Sequence, residues 1–259
     1  MPAILFSSKN LASRNIANQL IELGYSPKTE GEWEKNYIRL IDTNVDSILD
    51  VPTNIDTDYI IVLSTHKSKH EQNAFTAHFP GNWSNADFGG QSRTLNIAHA
   101  SKLKSVLQNI KKENNRKEWE VTLEVDHHGP TCNLPIIFVE IGSTEKQWQD
   151  VEAAKVVASA LEKAIRIEDK KFETVFAVGG GHYPKEFSKI ELEDRKIAIG
   201  HIVPKYHLDS LDEDIFKQAI EKNVEKVKQI LVLKESVNTR QKLLLKKLCD
   251  SFSVEYTEI

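Results

Sequence analysis

Cysteine is nearly absent from this sequence, as are long hydrophobic runs and any large excess of charge. With only two cysteines in 259 residues and no charged-then-apolar leader, a disulfide-stabilised secreted scaffold is excluded and a cytoplasmic protein is expected. No apolar run approaches the roughly 20 residues that span a bilayer. The formal net charge of −4 provides no general attraction to nucleic acid. Membranes and DNA are therefore not expected partners, and an RNA partner would require a local basic patch.

Proline is also sparse, with 8 residues, and apolar strand-like segments alternate with amphipathic helical ones. Strands are predicted at residues 3–7, 36–41, 59–63, 119–126, 134–141, 174–178, 196–200, 228–233 and 253–256. Helices are predicted at residues 8–23, 94–112, 144–165, 212–223 and 236–250, the first capped by Ser8 and the third by a Thr144–Gln147 capping box. This alternation predicts an α/β fold of three α/β/α layers with a mostly parallel mixed sheet. No repeat or linker interrupts it, so one domain is expected over residues 1–259.

Histidine, by contrast, is plentiful, with nine residues, and histidines follow four of the predicted strands. These are His66, the adjacent pair His127 and His128, His182 and His201. Ligands of open α/β sheets bind outside the carboxyl ends of the strands. A single loop histidine is usually a solvated or capping residue, but four such segments together favour one shared site.

Imidazole binds metal ions and titrates near neutral pH, so such a cluster could bind zinc or transfer protons. If the strand at 119–126 continues, Glu124, Asp126 and His128 lie on its polar face and His127 points to the other side. A carboxylate beside a histidine can orient the ring or ligate metal itself. The alternative is an ordinary exposed strand face.

A glycine run follows the strand at 174–178. The backbone N–H groups of Gly179, Gly180 and Gly181 could bind an anion, but the run matches no nucleotide-binding motif and a simple tight turn explains it equally well. No nucleophile stands out, since Thr131 lies in no nucleophile elbow and Cys132 could be a thiolate or simply buried.

Short blocks of sequence in a fixed order carry a family resemblance. The most specific are 127–131 (HHGPT) and 140–145 (EIGSTE), joined by 64–68 (STHKS), 80–83 (PGNW), 121–124 (VTLE) and 179–183 (GGGHY). Together they resemble the archaeal and plant form of D-aminoacyl-tRNA deacylase over nearly the whole chain. One departure is Gln91–Ser92, where relatives are expected to have Lys-Pro, and it puts any role for a cation in that loop in doubt.

The resemblance implies a hydrolase that cleaves the ester of D-aminoacyl-tRNA and releases the free D-amino acid and tRNA. It also implies zinc as cofactor, tRNA as partner, and a fold similar to peptidyl-tRNA hydrolase and purine nucleoside phosphorylases; a monomer is expected. Zinc would activate water near neutral pH, with Glu124 or an unligated histidine as the base. Selectivity for the D-isomer would come from a pocket that excludes the L-isomer by clash.

Residue roles are assigned on this basis. Catalysis is expected from Glu124, His128, His66 and Thr131, and metal binding from His127, His128, His182 and His201. The loop at 78–83 suits substrate stacking, although Trp83 could equally pin it by packing. Substrate contacts are expected from His78, Asn82, Trp83, Glu140, Gly179, Gly180, Gly181 and Tyr183.

Two local basic patches could bind tRNA, although ordinary solvated helix faces explain either one equally well. One patch comprises Lys102, Lys104, Lys111, Lys112, Arg116 and Lys117, and the other comprises Arg240, Lys242, Lys246 and Lys247. Two rival functions stay open. One is a metal-dependent amidase or peptidase on small substrates, and the other is a non-catalytic RNA- or metal-binding protein.

Overall fold

The computed structural model describes residues 2–45, 49–52, 55–68, 71–166 and 171–259. Its strands are β1 (Ala3–Phe6), β2 (Ser26–Thr29), β3 (Glu32–Lys35), β4 (Ile38–Asp42), β5 (Ile60–Lys67), β6 (Ala74–His78), β7 (Gly81–Asn82), β8 (Thr94–Leu95), β9 (Glu120–Leu123), β10 (Ile136–Ser143), β11 (Glu173–Val178), β12 (Ile197–Val203), β13 (Val227–Val232) and β14 (Glu255–Glu258). Its helices are α1 (Leu11–Glu22), α2 (Ala100–Glu113), α3 (Glu145–Trp148), α4 (Val151–Arg166), α5 (Lys185–Glu193), α6 (Glu213–Glu221) and α7 (Thr239–Phe252). Within these ranges, no helix is both long and apolar enough to cross a membrane.

The longer strands form two sheets. Eight strands make a mixed sheet in the order β2-β3-β4-β1-β5-β10-β6-β9, and four make a second sheet in the order β12-β11-β13-β14. In the larger sheet β4, β1, β5 and β10 run parallel, whereas β6 lies antiparallel to β10 and β9 runs parallel to β6. All pairs in the smaller sheet are parallel. The predicted α/β fold with a mostly parallel sheet flanked by helices is confirmed, although its division into two sheets was not predicted.

The two sheets share a hydrophobic core. Along β11, Val175 and Ala177 face the core that also contains residues of α1, α2 and α4, whereas Phe176 and Val178 face a second core with α6 and α7. The alternation of side chains along a strand produces this two-sided burial. Because both sheets contribute to the first core, we propose that residues 1–259 form a single domain.

Among the described residues, one face of the larger sheet packs on helices and the other packs on non-helical segments. On the first face, residues such as Ile61 and Val139 join the shared core. On the opposite face, Val62 and Phe138 pack with Val51 in a small apolar cluster at one end of the strands. We call this second face the open face.

The open face becomes polar further along the same strands. Strand register pairs Glu140 of β10 with Ser64 on one side and Thr76 on the other, and it pairs Phe138 with His78. Directly paired residues lie on the same face of a sheet. The candidate site therefore lies partly across a sheet face and not only at the carboxyl edge that was expected.

Three of the strand ends that differ from the predicted ones affect the candidate site. Strands β5 and β12 extend to Lys67 and Val203, which places His66 and His201 inside strands instead of after them. Strand β9 ends at Leu123 instead of residue 126. In β5 the extension occurs because β10 pairs with it as far as Ser143, and a local sequence pattern does not reveal such a distant partner.

Helix boundaries show similar differences. The predicted cap Ser8 is wrong, because Asn10 caps α1 and its side chain accepts the Ser13 N–H. The helix predicted at 94–112 begins only at Ala100, after the short strand β8. The helix predicted at 144–165 is divided into α3 and α4, whereas its capping box is confirmed.

Candidate metal and catalytic site

Three imidazole rings lie against one another on the open face. His78 is the last residue of β6, and His127 and His128 follow β9. The ring centroid of His78 lies 4.3 Å from that of His127 and 4.8 Å from that of His128, and the His127 and His128 centroids are 4.4 Å apart. One nitrogen from each of the three rings lies within 4.8 Å of the others. We call these residues the histidine triad.

Backbone carbonyl groups orient all three rings. The Nδ1–H groups of His78, His127 and His128 donate to the carbonyl oxygens of Phe79 (3.1 Å), Val125 (2.8 Å) and Gly129 (2.5 Å). Because a carbonyl oxygen only accepts, Nδ1 carries the proton and Nε2 carries the lone pair of each neutral ring. Metal-binding histidines are commonly oriented in this way. Nε2 is therefore the nitrogen of each ring that could ligate an ion.

The histidine triad forms because the chain leaves the extended conformation after β9. His128 adopts a φ of 48°, in the left-handed region that ordinary residues occupy infrequently. The turn brings the His127 and His128 rings together, so the prediction that they point to opposite faces is wrong. Glu124 and Asp126 also separate, because Asp126 accepts a hydrogen bond from His201 while Glu124 contacts His182.

His78 is the most deeply buried member of the histidine triad. It is 1% exposed, and among the described residues its Nε2 has no hydrogen-bond partner. Burial and the neighbouring His128 lower the pKa of His78 to about 3. Burial, His78 and His128 likewise hold the pKa of His127 well below its ordinary value. A buried nitrogen without a partner is uncommon, and a neutral imidazole is the form that binds metal.

A buried carboxylate connects the histidine triad to a second polar group. Glu124 Oε2 accepts a hydrogen bond from His182 Nε2–H at 2.8 Å and lies 3.5 Å from His127 Nε2. Glu124 Oε1 lies 3.1 Å from His66 Nδ1. His66 also contacts two further residues. Its Nδ1 lies 3.6 Å from Glu140 Oε2, and its Nε2 hydrogen-bonds to the Tyr183 hydroxyl. We call this group the Glu124 network: Glu124, His66, His182, Glu140 and Tyr183.

Charge in the Glu124 network resides on Glu124 and His66. Burial raises the pKa of Glu124, but His182 and His66 outweigh it and hold the pKa well below its ordinary value. Burial lowers the pKa of His66, but Glu124 and Glu140 outweigh it and raise the pKa to about 10. Burial raises the pKa of Glu140 to about 7. A protonated His66 cannot donate a lone pair to metal, so the histidine triad is the better donor set.

A cavity of about 820 Å³ lies over these groups. His66, His127, His128, Glu140 and His182 line it, and Lys9, Lys67 and Phe88 lie around its rim. A volume of this size suits a small-molecule or terminal-group site. The cavity therefore gives a ligand access to both the histidine triad and the Glu124 network.

His201 does not reach the cavity. It is fully buried, its Nδ1 hydrogen-bonds to the Asp126 carboxylate, and its Nε2 donates to the Lys222 carbonyl at 2.9 Å. Because both ring nitrogens are engaged, these contacts contradict its predicted place among the metal ligands. The predicted strand end at residue 200 led to this error.

Thr131 and Asn82 hold a loop beside the cavity. The Gln91 N–H donates to Thr131 Oγ1 at 2.9 Å, and Asn82 Nδ2 donates to the carbonyls of Gly89 (2.9 Å) and Gln91 (3.2 Å). These contacts give both side chains a structural role, and catalysis by Thr131 and substrate binding by Asn82 stay predictions. Residue 91 makes its contacts with Thr131 and Asn82 through its backbone. The presence of Gln91–Ser92 where relatives are expected to have Lys-Pro therefore does not remove the contacts that hold the loop.

Trp83 is part of the second core and not of the cavity. It is 2% exposed, stacks on Phe176, and donates Nε1–H to the Ile202 carbonyl at 3.1 Å. The predicted substrate contact is therefore contradicted, and the packing alternative is the correct one.

The glycine run forms a tight turn that leads to His182. The Gly179 N–H donates to the Val203 carbonyl at 2.8 Å and the Gly180 N–H donates to Ser236 Oγ at 3.0 Å. Gly179 has a φ of +114°, and a Cβ there would lie 2.6 Å from Ser236 Cβ. The predicted anion binding by these two N–H groups is contradicted, whereas a contact of Gly181 with substrate stays a prediction.

Three residues of the first proposed basic patch are engaged within the protein. Lys102 and Lys104 are buried, and their ammonium groups donate to the carbonyls of Ala164 and Glu191. Arg116 forms an ion pair with Asp150 at 2.7 Å. Lys102 and Lys104 are therefore neither solvated nor available to tRNA, whereas tRNA binding by the other residues of the two patches stays a prediction. Sequence reasoning did not place His78 beside His127 and His128, although the mostly apolar segment at 74–77 before it indicated a strand end.

The fold and site define a hydrolase-type α/β protein with a histidine-centred candidate metal site. Residues 53–257 match the sequence profile of the family described as D-aminoacyl-tRNA deacylase. A D-aminoacyl-tRNA deacylase of Methanosarcina mazei is 36% identical over 85% of this chain and 80% of its own length, and one of Thermococcus onnurineus is 31% identical over 99% of both. The chain belongs to the D-aminoacyl-tRNA deacylase family.

The same fold occurs in a solved structure. A crystal structure described as a conserved protein of unknown function matches 100% of this chain and 95% of its own, with a TM-score of 0.92 and 29% sequence identity. The arrangement of both sheets is therefore shared with a related protein.

Proposed function

We propose that this protein hydrolyses the ester of D-aminoacyl-tRNA, releasing the D-amino acid and tRNA, in the cytoplasm where charged tRNA is used. The observation that carries the proposal is the convergence of the histidine triad and the Glu124 network beneath one cavity. Family membership supports the substrate class. The rim of the cavity is open enough for the end of a large substrate, since Phe88 is 70% exposed.

The histidine triad fits zinc. His78, His127 and His128 would hold the ion, because each ring has its Nδ1–H bound to a carbonyl and His78 Nε2 has no partner among the described residues. Zinc accepts neutral imidazole nitrogens as ligands. A zinc ion bound there would supply Lewis-acid activation of water and of an ester carbonyl.

His182 is the proposed general base. Ester hydrolysis requires a water oxygen to attack the carbonyl carbon and lose a proton, and the departing ribose oxygen to gain one. His182 donates Nε2–H to Glu124 at 2.8 Å, which leaves the lone pair of the neutral ring on Nδ1. Its side chain is 35% exposed and lines the cavity, whereas Glu124 is fully buried. Glu124 therefore positions the base and does not contact substrate.

His66 provides positive charge beside the reacting group. Glu124 and Glu140 keep it protonated, and the Tyr183 hydroxyl contacts its Nε2. Fixed positive charge stabilises the oxyanion that develops when water adds to a carbonyl. The Glu124 network thus combines a base on His182 with an electrostatic group on His66.

The proposal is tested by incubating the protein with D-tyrosyl-tRNA and L-tyrosyl-tRNA, with and without a chelator, and measuring tyrosine release. We expect release from the D-isomer, background release from the L-isomer, and loss of activity with the chelator. Equal rates on both isomers would reject the stereospecific role. Hydrolysis of small amides with no action on either tRNA would favour the amidase alternative.

A further inference from the structure

Phe88 extends into solvent at the rim of the cavity that contains the proposed active site. Its side chain is 70% exposed and lines the same cavity as His66, His127 and His182. It makes no aromatic ring contact with another residue of the described ranges. A single exposed apolar residue is ordinary on a protein surface, and a role for Phe88 therefore requires that its loop be held in place and that its neighbours suit a ligand.

The loop that carries Phe88 is hydrogen-bonded to the segment that directly follows His128. The Phe88 carbonyl accepts the Gly129 N–H at 2.9 Å, directly after His128. Beyond it, a Cβ on Gly90 would lie 3.0 Å from Gly129 Cα and 3.1 Å from Thr131 Oγ1, so the loop packs closely on the same segment. The backbone position of Phe88 is therefore fixed relative to the histidine triad. Its ring is held at the rim without covering the cavity.

The rim also carries two cations. Lys9, before α1, and Lys67, at the end of β5, both line the cavity, and neither forms an ion pair with a residue that the structure describes. Glu145 lies on the same rim, so the rim is of mixed charge and is not a general surface for a nucleic-acid duplex. Two cations beside an aromatic ring suit a short single-stranded terminus, with phosphates near the lysines and a base on the ring.

We propose that Phe88 is the stacking surface for the terminal base of the tRNA 3′ end, with Lys9 and Lys67 contacting its phosphates. This inference rests on the proposed function and adds the residues that recognise the RNA part of the substrate. A stacked terminal base would place the adjoining ribose ester over the cavity. Phe88 would then act on substrate binding and not on the chemical step.

Binding of an uncharged RNA ending in CCA, with 2-aminopurine as the terminal base, tests the stacking directly. Stacking on Phe88 quenches the fluorescence of this base, so we expect quenching by the wild-type protein and by Phe88→Trp but not by Phe88→Ala. The matched control is Tyr37→Ala, which removes an aromatic side chain of the same exposure (70%) that does not line the cavity. Equal quenching by wild type and Phe88→Ala, or no binding of the RNA by wild type, would overturn the proposal.

Kinetics separate this proposal from the proposed function. For D-tyrosyl-tRNA we expect Phe88→Ala to raise KM about 10-fold or more with a nearly unchanged kcat, as loss of base stacking predicts. The same variant should hydrolyse the free methyl ester of D-tyrosine at the wild-type rate, because that ester has no base. An equal loss on both substrates would overturn the assignment to the base. Quenching without any hydrolysis would reject the deacylase function and leave the RNA contact standing.

Discussion

At the scale of single residues, neighbouring groups decide the role of each histidine more than its place in the sequence does. His78 and His127 each bind a carbonyl through Nδ1 and are held neutral by burial. His66 faces two carboxylates and is protonated. His182 donates its Nε2–H to Glu124 and lines the cavity. Under the proposed function, the same side chain would therefore serve as metal donor, electrostatic group or base according to its partners.

The role of Glu124 leads to a prediction at this scale. Glu124→Gln keeps the volume but removes the charge that orients His182 and His66, so we expect kcat for D-tyrosyl-tRNA to fall about 100-fold or more. KM should change little, because the buried carboxylate does not touch substrate. Steady-state kinetics on D-tyrosyl-tRNA check both expectations.

The matched control for this change is Glu162→Gln. Glu162 is also a largely buried carboxylate, but it pairs with Lys35 and Arg166 and does not line the cavity. Its kcat should match that of wild type. A Glu124→Gln enzyme with wild-type kcat would contradict the assignment of Glu124 as the residue that positions the base.

At the scale of elements, the lengths of strands decide which histidines meet. Strand β12 continues through His201 to Val203, and the ring turns toward Asp126 instead of the cavity. The Asp126 carboxylate also accepts the Ile202 N–H at 2.8 Å. The His201–Asp126 pair thus ties the smaller sheet to the segment that carries His127 and His128.

This pairing predicts that His201→Ala destabilises the fold without removing metal. Removing one partner of a buried hydrogen bond typically costs about 1–3 kcal/mol because the other polar group is left unsatisfied. Urea unfolding should show a loss of that size, while the zinc content of the folded fraction stays at the wild-type level. His207→Ala, at a half-buried ring that contacts Ser84, should lower the free energy of unfolding by less. Loss of zinc with unchanged stability would instead restore the ligand role for His201.

At the scale of the whole molecule, the sequence predicted the class of fold and most of the site residues but not their geometry. Most strands were predicted because apolar runs mark them locally, and the HHGPT and GGGHY blocks located His127, His128 and His182. The position of β6 beside β10, which brings His78 to the histidine triad, depends on a pairing between distant segments. The misassignment of Trp83 has a similar cause, because its partners Phe176 and Ile202 are far along the chain.

The central claim is that the histidine triad holds the metal ion on which deacylation depends. The most direct test is to remove metal from wild type and His78→Gln with a chelator, and then to titrate zinc while measuring bound zinc and D-tyrosyl-tRNA hydrolysis together. For wild type we predict that activity returns in proportion to the zinc bound. For His78→Gln we predict weaker zinc binding and little recovery at the same zinc concentration, because one Nε2 donor is lost. Full activity of chelated wild type, or equal zinc binding and activity in His78→Gln, would contradict the account.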